Sequence, residues 1–255
     1  MKFENKSFII SGGASGLGLA TAQALVKSNA HVILLDLNAP ALETAQSEMG
    51  DLCKVFAVDI TDAASIERVF TDLEQNNELV YGLINCAGIG PAKRTVGKNG
   101  PVEIEFFKKV IDVNLIGSYN LIRLAANLMQ RNDPHFDGQK GIIINTASIA
   151  AFDGQVGQAA YAASKGGIVA LTLPLAREFV HMGIRVMTIA PGIFETPLMN
   201  NLNPAAIESL SHQTVFPQRF GKPHEYASLV MEIIKNPMLN GEVIRLDGAV
   251  RMNMK

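Results

Sequence analysis

Short apolar runs rich in β-branched residues alternate with longer amphipathic stretches along the whole sequence, and this rhythm restricts the fold more than any other feature. The runs 7–11, 31–36, 54–59, 79–85, 141–146, 185–190 and 243–247 read as strands. Between them, 16–28, 39–49, 63–74, 102–129, 158–181 and 223–235 carry helical periodicity. Strands that are apolar at nearly every position are buried on both faces, which requires a parallel sheet covered by helices. Right-handed crossovers then give an α/β fold of Rossmann type, a doubly wound parallel sheet with helices on both faces. No linker or internal repeat divides the chain, so a single domain is expected over 1–255. Two segments break the rhythm and read as binding loops or lids: 90–100, which carries Lys93, Arg94 and Lys98, and 194–220.

Composition removes several classes of function. Hydrophobic residues make up 48% and charged residues 18% of the chain, which suits a buried core and not a disordered segment. A formal net charge of −2 gives no basic excess for nucleic acid. The longest uncharged stretches are short and interrupted by glycine or proline, so no membrane span is expected. Cys53 and Cys86 form no CxxC pair and the five histidines are scattered, which indicates neither a metal site nor a disulfide framework. The sequence enters its first strand almost at once, and the expectation is a cytoplasmic protein without a signal or transit segment.

Gly12, Gly16 and Gly18 follow the first strand in GxxxGxG spacing. One glycine allows a sharp turn, another lets backbone N–H groups approach a pyrophosphate, and a third packs the next helix closely against the sheet. A tight turn without a ligand would also use such residues. Asp36 closes the second strand, where a carboxylate can accept hydrogen bonds from a ribose 2′-hydroxyl and repel a 2′-phosphate. The turn 11–18 holds no Arg or Lys to receive that phosphate, so NAD is favoured over NADP.

Tyr161 and Lys165 stand four residues apart and share a helix face. A free phenol has a pKa of about 10, and bringing it to neutrality needs roughly 4 kcal/mol of preference for the phenolate. An ammonium about 5 Å away, at an effective dielectric of about 20, supplies about 3 kcal/mol, and an oxidised nicotinamide would add to it. The pair is therefore adequate for a tyrosine general acid and base. YxxxK alone is usually a solvated helix face. Ser148, after the strand GIIINT, lies at the carboxyl end of the sheet where α/β folds bind ligands. Asn114 is an amide inside an apolar helical run and must find partners if buried.

With these residues the chain resembles the short-chain dehydrogenases/reductases over essentially its full length. The matching positions are the glycine turn, Asp59-Ile60, Asn85-Cys86-Ala87-Gly88, Asn114, Ser148, Tyr161, Lys165 and Pro191-Gly192. The strings NTASIAAFDGQVGQAAYAASKGGIVALTLPLAR, GIRVMTIAPGIFETPL and NPMLNGEVIRLDGAVRM are most similar to the 3-hydroxyacyl-CoA dehydrogenase subgroup. The resemblance implies a cofactor-binding half over 1–150 and a catalytic and substrate half over 140–255 of the same domain. It implies that Ser148 polarises the substrate oxygen, Tyr161 exchanges the proton, Lys165 holds the nicotinamide ribose and lowers the Tyr161 pKa, and Asn114 anchors a water beside Lys165. Gly12, Ser15, Gly16, Leu17, Gly18, Asp36, Asp59, Ile60, Asn85, Cys86, Ala87, Gly88, Pro191, Phe194 and Thr196 would line NAD. Gln155 and Gln158 would stand near the substrate. Cys86 replaces a more usual alanine and reads as packing. Pro174 should kink the helix after Lys165.

The expected reaction is the interconversion of (S)-3-hydroxyacyl-CoA and 3-oxoacyl-CoA in a homotetramer, with 247–255 near a subunit contact. Lys93, Arg94 and Lys98 would meet the CoA phosphates, or form a solvated loop. Leu198, Met199, Leu202, Ile207 and Leu210 would cover the acyl chain, or form a subunit contact. Three other readings are a 3-oxoacyl-carrier-protein reductase, a steroid or secondary-alcohol dehydrogenase, and an interaction scaffold that keeps the fold without turnover.

Overall fold

The computed structural model describes residues 4, 6–197 and 214–254. The leucines, methionine and isoleucine expected to cover an acyl chain (Leu198, Met199, Leu202, Ile207 and Leu210) lie outside the described residues. The elements run β1 (Ser7–Ser11), α1 (Gly16–Val26), β2 (His31–Asp36), α2 (Ala39–Met49), β3 (Cys53–Ala57), α3 (Ala63–Gln75) and β4 (Val80–Asn85). A hairpin of β5 (Val96–Gly97) and β6 (Gly100–Pro101) leads to α4 (Ile104–Ile111), a π-helical segment Asp112–Gly117, and α5 (Ser118–Met129). Then follow β7 (Gly141–Thr146), α6 (Ala150–Asp153), α7 (Ala159–Glu178), β8 (Ile184–Pro191), α8 (Pro223–Lys235) and β9 (Val243–Leu246).

Seven strands form one sheet in the order β3-β2-β1-β4-β7-β8-β9, and every pairing is parallel. The order reverses between β1 and β4, which opens the crevice at the carboxyl ends where such sheets take ligands. Side chains alternate across the sheet with period two. Phe8, Ile10, Val32, Leu34, Ile142 and Ile144 join α1, α2 and α8 on one face, where Leu25, Leu42 and Val230 pack. Ile9, Ile33, Leu83, Ile143 and Val186 meet α3, α5 and α7 on the other, where Phe70, Leu121 and Leu175 pack.

Local chemistry sets the helix ends. The Asn38 side chain accepts from the Ala41 N–H at 3.2 Å, with Pro40 beside it in the first turn, and the Asp62 carboxylate accepts from Ser65 N–H at 3.1 Å. Buried Arg185 donates to the carbonyls of Ile233, Ile234 and Leu239, so a β8 side chain holds the carboxyl end of α8.

The expected helix 102–129 is three pieces, because the π segment interrupts it around Asn114. The third strand ends at Ala57 and not at 59; Asp59 instead folds back on Thr61 through its N–H and hydroxyl, so the chain leaves the sheet early. The loop 90–100 carries the β5–β6 hairpin, and Lys93 is paired with Glu103 at 2.6 Å. Helix α7 runs through Pro174 for 20 residues. By length and composition it would pass as a membrane span. Here its buried side chains Ile168, Thr172, Leu175 and Ala176 pack within the protein.

Candidate active site

The glycine turn has the tight backbone and close packing that its spacing implies. Gly12 has φ +66°, and a Cβ there would stand 2.8 Å from the Ala87 backbone nitrogen and 3.0 Å from the Cys86 carbonyl carbon. Only glycine lets the β1 turn and the segment after β4 approach this closely. Gly16 has φ +52° and lies under Thr196 and Pro197, which brings Thr196 to the turn. Ser15 precedes α1 without making a side-chain cap, and the first turn of α1 contains no acidic residue. The helix N-terminus thus presents unsatisfied N–H groups to any anion. Asp36 stands beside it: one carboxylate oxygen accepts from Ala14 N–H at 3.1 Å and the other from Asn38 N–H at 3.0 Å. These features fit a dinucleotide, with backbone donors for the pyrophosphate and a carboxylate for the ribose.

The other expected cofactor residues divide by what their side chains do. Ile60 is buried against Gly117, and Asn85 spans β1 and β7 by facing Ser11 and donating to Asn145 at 2.9 Å. Leu17 and Gly18 open α1, and Gly18 passes against the Gly12 carbonyl. The Pro191 carbonyl receives the Ile149 N–H at 3.0 Å, which ties β8 to the segment after Ser148. The Phe194 ring is buried on Gly221, so the backbone of Phe194, more than its ring, is left to meet a cofactor. Cys86 is a free thiol facing Thr146 and Tyr226.

Four expected catalytic residues converge beyond β7. Ser148 follows that strand and accepts from Ala150 N–H at 3.1 Å. Tyr161 lies in the first turn of α7, and Lys165 Nζ is 6.0 Å from its ring centroid. Lys165 is buried and donates to the Thr146 carbonyl at 2.7 Å. Asn114 is fully buried; its amide accepts from Ile89 N–H at 2.8 Å and donates to Ile89 O at 2.9 Å and Ser164 Oγ at 3.0 Å. Ser164 donates in turn to the Tyr161 carbonyl at 2.8 Å. Asn114 therefore clamps the segment after β4 to the helix that carries Tyr161. Its Oδ1 accepts a single hydrogen bond, from Ile89 N–H, and faces the Gly88 space that Lys165 Nζ also borders. At Gly88 a Cβ would lie 3.1 Å from Asn114 Oδ1 and 3.5 Å from Lys165 Nζ, so the missing side chain leaves space for the amine.

Burial works against the expected lowering of the Tyr161 pKa. Burial pushes the Tyr161 phenol above its ordinary pKa, and the hydrogen bond with Ser148 only partly opposes this. Burial also brings Lys165 down to about 8, so its cation weakens in the pH range where it would be needed to hold a phenolate. The ammonium attracts a phenolate, and the desolvation of both groups opposes that attraction.

Gln155 and Gln158, expected near the substrate, each have a hydrogen-bond partner within the chain. The Gln158 side chain accepts from Gln155 N–H at 2.9 Å, and the Gln155 amide donates to Asn253 O at 3.0 Å. Val156 N–H donates to Met254 O at 3.1 Å, and Arg245 joins Asp153 at 2.6 Å. The carboxyl-terminal segment thus packs on its own chain's loop between Ser148 and Tyr161. Among the described residues no group of three or more His, Cys, Asp or Glu could hold a metal ion. Residues that sequence alone did not single out are Thr146, Ser164 and Tyr226. Ser164, inside the YAASK string beside Lys165, was the one with a readable signal.

The short chain dehydrogenase family pattern matches residues 6–206. The 3-hydroxyacyl-CoA dehydrogenase type-2 of Bos taurus is 52% identical over 96% of this chain and 94% of that protein. The 3-oxoacyl-[acyl-carrier-protein] reductase of Thermotoga maritima is 32% identical over 98% of this chain and 99% of that protein. The crystal structure of a 3-hydroxyacyl-CoA dehydrogenase type-2 from Mycobacterium avium superposes with a TM-score of 0.93 at 37% identity, covering 99% of this chain and 98% of that one.

Proposed function

Because this chain belongs to the short chain dehydrogenase family, and is an oxidoreductase of the kind that uses NAD(P), we propose that it interconverts (S)-3-hydroxyacyl-CoA and 3-oxoacyl-CoA with NAD(H), using Tyr161 as acid and base. The observation that carries the chemistry is the convergence of Ser148, Tyr161 and Lys165 beyond β7, with Asn114 locking the helix that bears two of them. The acyl-CoA substrate is supported by the relatives that share about half of the sequence. Asp36 supports NAD, since its carboxylate stands where a 2′-phosphate would be repelled.

A bound nicotinamide dinucleotide supplies the hydride donor or acceptor and, when oxidised, a positive charge. The Ser148 hydroxyl donates to the substrate oxygen and steadies its developing charge. The Tyr161 phenol gives its proton to that oxygen in reduction and recovers it in oxidation. Burial keeps Tyr161 protonated at neutral pH, which suits reduction directly. Oxidation needs the phenolate, so its rate should rise with pH. Lys165 would hold the nicotinamide ribose and place its charge beside Tyr161. The exposed apolar side chains Ile104, Phe107, Ile116 and Tyr119, from α4 through α5, fit a homotetramer.

Initial rates with NADH against acetoacetyl-CoA, an acyl-carrier-protein thioester and a ketosteroid test the substrate. Acetoacetyl-CoA should give the highest kcat/KM, and a higher value for either other substrate replaces the reading. Tyr161→Phe should lower turnover by about 10³-fold or more while NADH still binds. Near-normal turnover in that variant refutes the mechanism.

A further inference from the structure

Thr146 is the last residue of β7, and the β4–β7 register ends one residue earlier, at Asn85 opposite Asn145. The Thr146 carbonyl therefore lies beyond that ladder, and Lys165 Nζ is its donor at 2.7 Å. The Thr146 side chain is anchored separately. Its hydroxyl lies 2.7 Å from the hydroxyl of Tyr226, on α8, and donates to Cys86 Sγ at 3.6 Å. The Cys86 thiol donates to the Tyr226 hydroxyl at 3.8 Å. Each group has one proton to give. With Thr146 donating to Cys86 and Cys86 to Tyr226, the Tyr226 proton must go to Thr146, and the ring closes. Tyr226 is fully buried, so its hydroxyl depends on these partners. Burial raises both the Cys86 thiol and the Tyr226 phenol, which keeps the ring protonated and neutral.

We propose that Tyr226 is a positioning residue for Lys165, acting through Thr146 in this closed ring with Cys86. The inference rests on the reading that Lys165 serves the nicotinamide ribose. On the β8 side Thr146 pairs with Ile189 and the Ala147 N–H holds the Ile189 carbonyl at 2.8 Å; on the β4 side, past that ladder, the ring is what anchors Thr146 beside the carbonyl that holds the amine. The titratable groups facing Lys165 are Tyr161 on its own helix and Cys86 after β4, with Tyr226 behind Thr146; the Asn114 amide faces the same space from the π segment. Without the Tyr226 hydroxyl, Thr146 loses its 2.7 Å side-chain partner, the end of β7 shifts on its β4 side, and the carbonyl that seats the amine moves with it. A retreat of about 1 Å from Tyr161 moves the acid limb of the oxidation rate up by roughly half a pH unit.

The decisive readout is cofactor binding, followed by fluorescence from pH 6 to pH 9.5 with NADH, or with NADPH should the wild type take only that. Tyr226→Phe and Thr146→Val should each weaken binding at neutral pH by about three- to tenfold and displace its pH midpoint, and the double variant should be no weaker than the singles. Thr146→Ser, which keeps the hydroxyl, should return the wild-type curve. A Tyr226→Phe curve that superimposes on wild type, or losses that multiply in the double variant, overturns the proposal. Should Tyr226→Phe not fold, the Val and Ser variants at 146 decide: different curves support the ring and identical curves overturn it. A wild-type protein that binds NADH but does not reduce acetoacetyl-CoA refutes the substrate reading alone, because this test reads binding.

Discussion

Replacing Asn114 with leucine keeps nearly the same side-chain shape and removes every polar atom from the clamp beneath the site. The amide pairs both Ile89 backbone groups, at 2.8 and 2.9 Å, and donates to Ser164 at 3.0 Å. In Asn114→Leu the Ile89 N–H and C=O lose those partners. Orphaning a buried polar group costs about 1–3 kcal/mol. Ile89 is half-buried, so water reaches part of the segment and the lower half of that range applies. Ser164 keeps the Tyr161 carbonyl and adds little. The expected total is about 2–4 kcal/mol, which for a chain of this size lowers Tm by roughly 5–15 °C. Activity should fall further than stability accounts for, by about tenfold or more at a temperature where the variant is folded, because the clamp sets Gly88 against Lys165. Thermal unfolding by circular dichroism and steady-state rates on the same preparation measure both quantities. A Tm within about 2 °C of wild type with unchanged kcat would falsify the assignment of Asn114 as a clamp.

Three further outcomes follow from the same geometry. Gly12→Ala forces a left-handed backbone on alanine and sets its methyl 2.8 Å from the Ala87 nitrogen, which cannot rotate aside; dinucleotide affinity measured by calorimetry should drop at least about tenfold, and retained affinity would show that the turn tolerates a side chain. Asp36→Ser removes the carboxylate beside Ala14, so the NADH-to-NADPH ratio of kcat/KM should narrow by about tenfold or more, and an unchanged ratio removes Asp36 from cofactor choice. Arg245 holds the Asp153 carboxyl below its ordinary pKa, chiefly by a hydrogen bond. A depressed folded pKa gives stability that is present above the unfolded value near 3.9 and lost as pH falls through the folded one. Asp153→Asn should therefore flatten the acid end of the stability curve below about pH 4, and identical acid unfolding of the two proteins contradicts the pairing.

Periodicity and the residues at its breaks determined the layered sheet, the glycine turn, Asp36, and the set Asn114, Ser148, Tyr161 and Lys165. These signals are local: a strand that is apolar at every position must be covered on both faces, and a glycine after it marks a turn that a side chain would block. The tertiary structure decided what each polar group does. Asn114 could not be read as a clamp, because its partners are a loop 25 residues away and a serine 50 residues away. The π segment around it carries the apolar pattern of a regular helix, since that pattern does not register one extra residue per turn. The partner of the Gln155 amide, Asn253 O in the carboxyl-terminal segment 98 residues away, was likewise beyond the reach of the sequence pattern. The Tyr161–Lys165 pair shows the physical reason for the division. Their spacing is written in the sequence, but their protonation depends on burial, and burial is created by α4, the π segment, α6, β7 and β8, which only the folded chain packs around their helix.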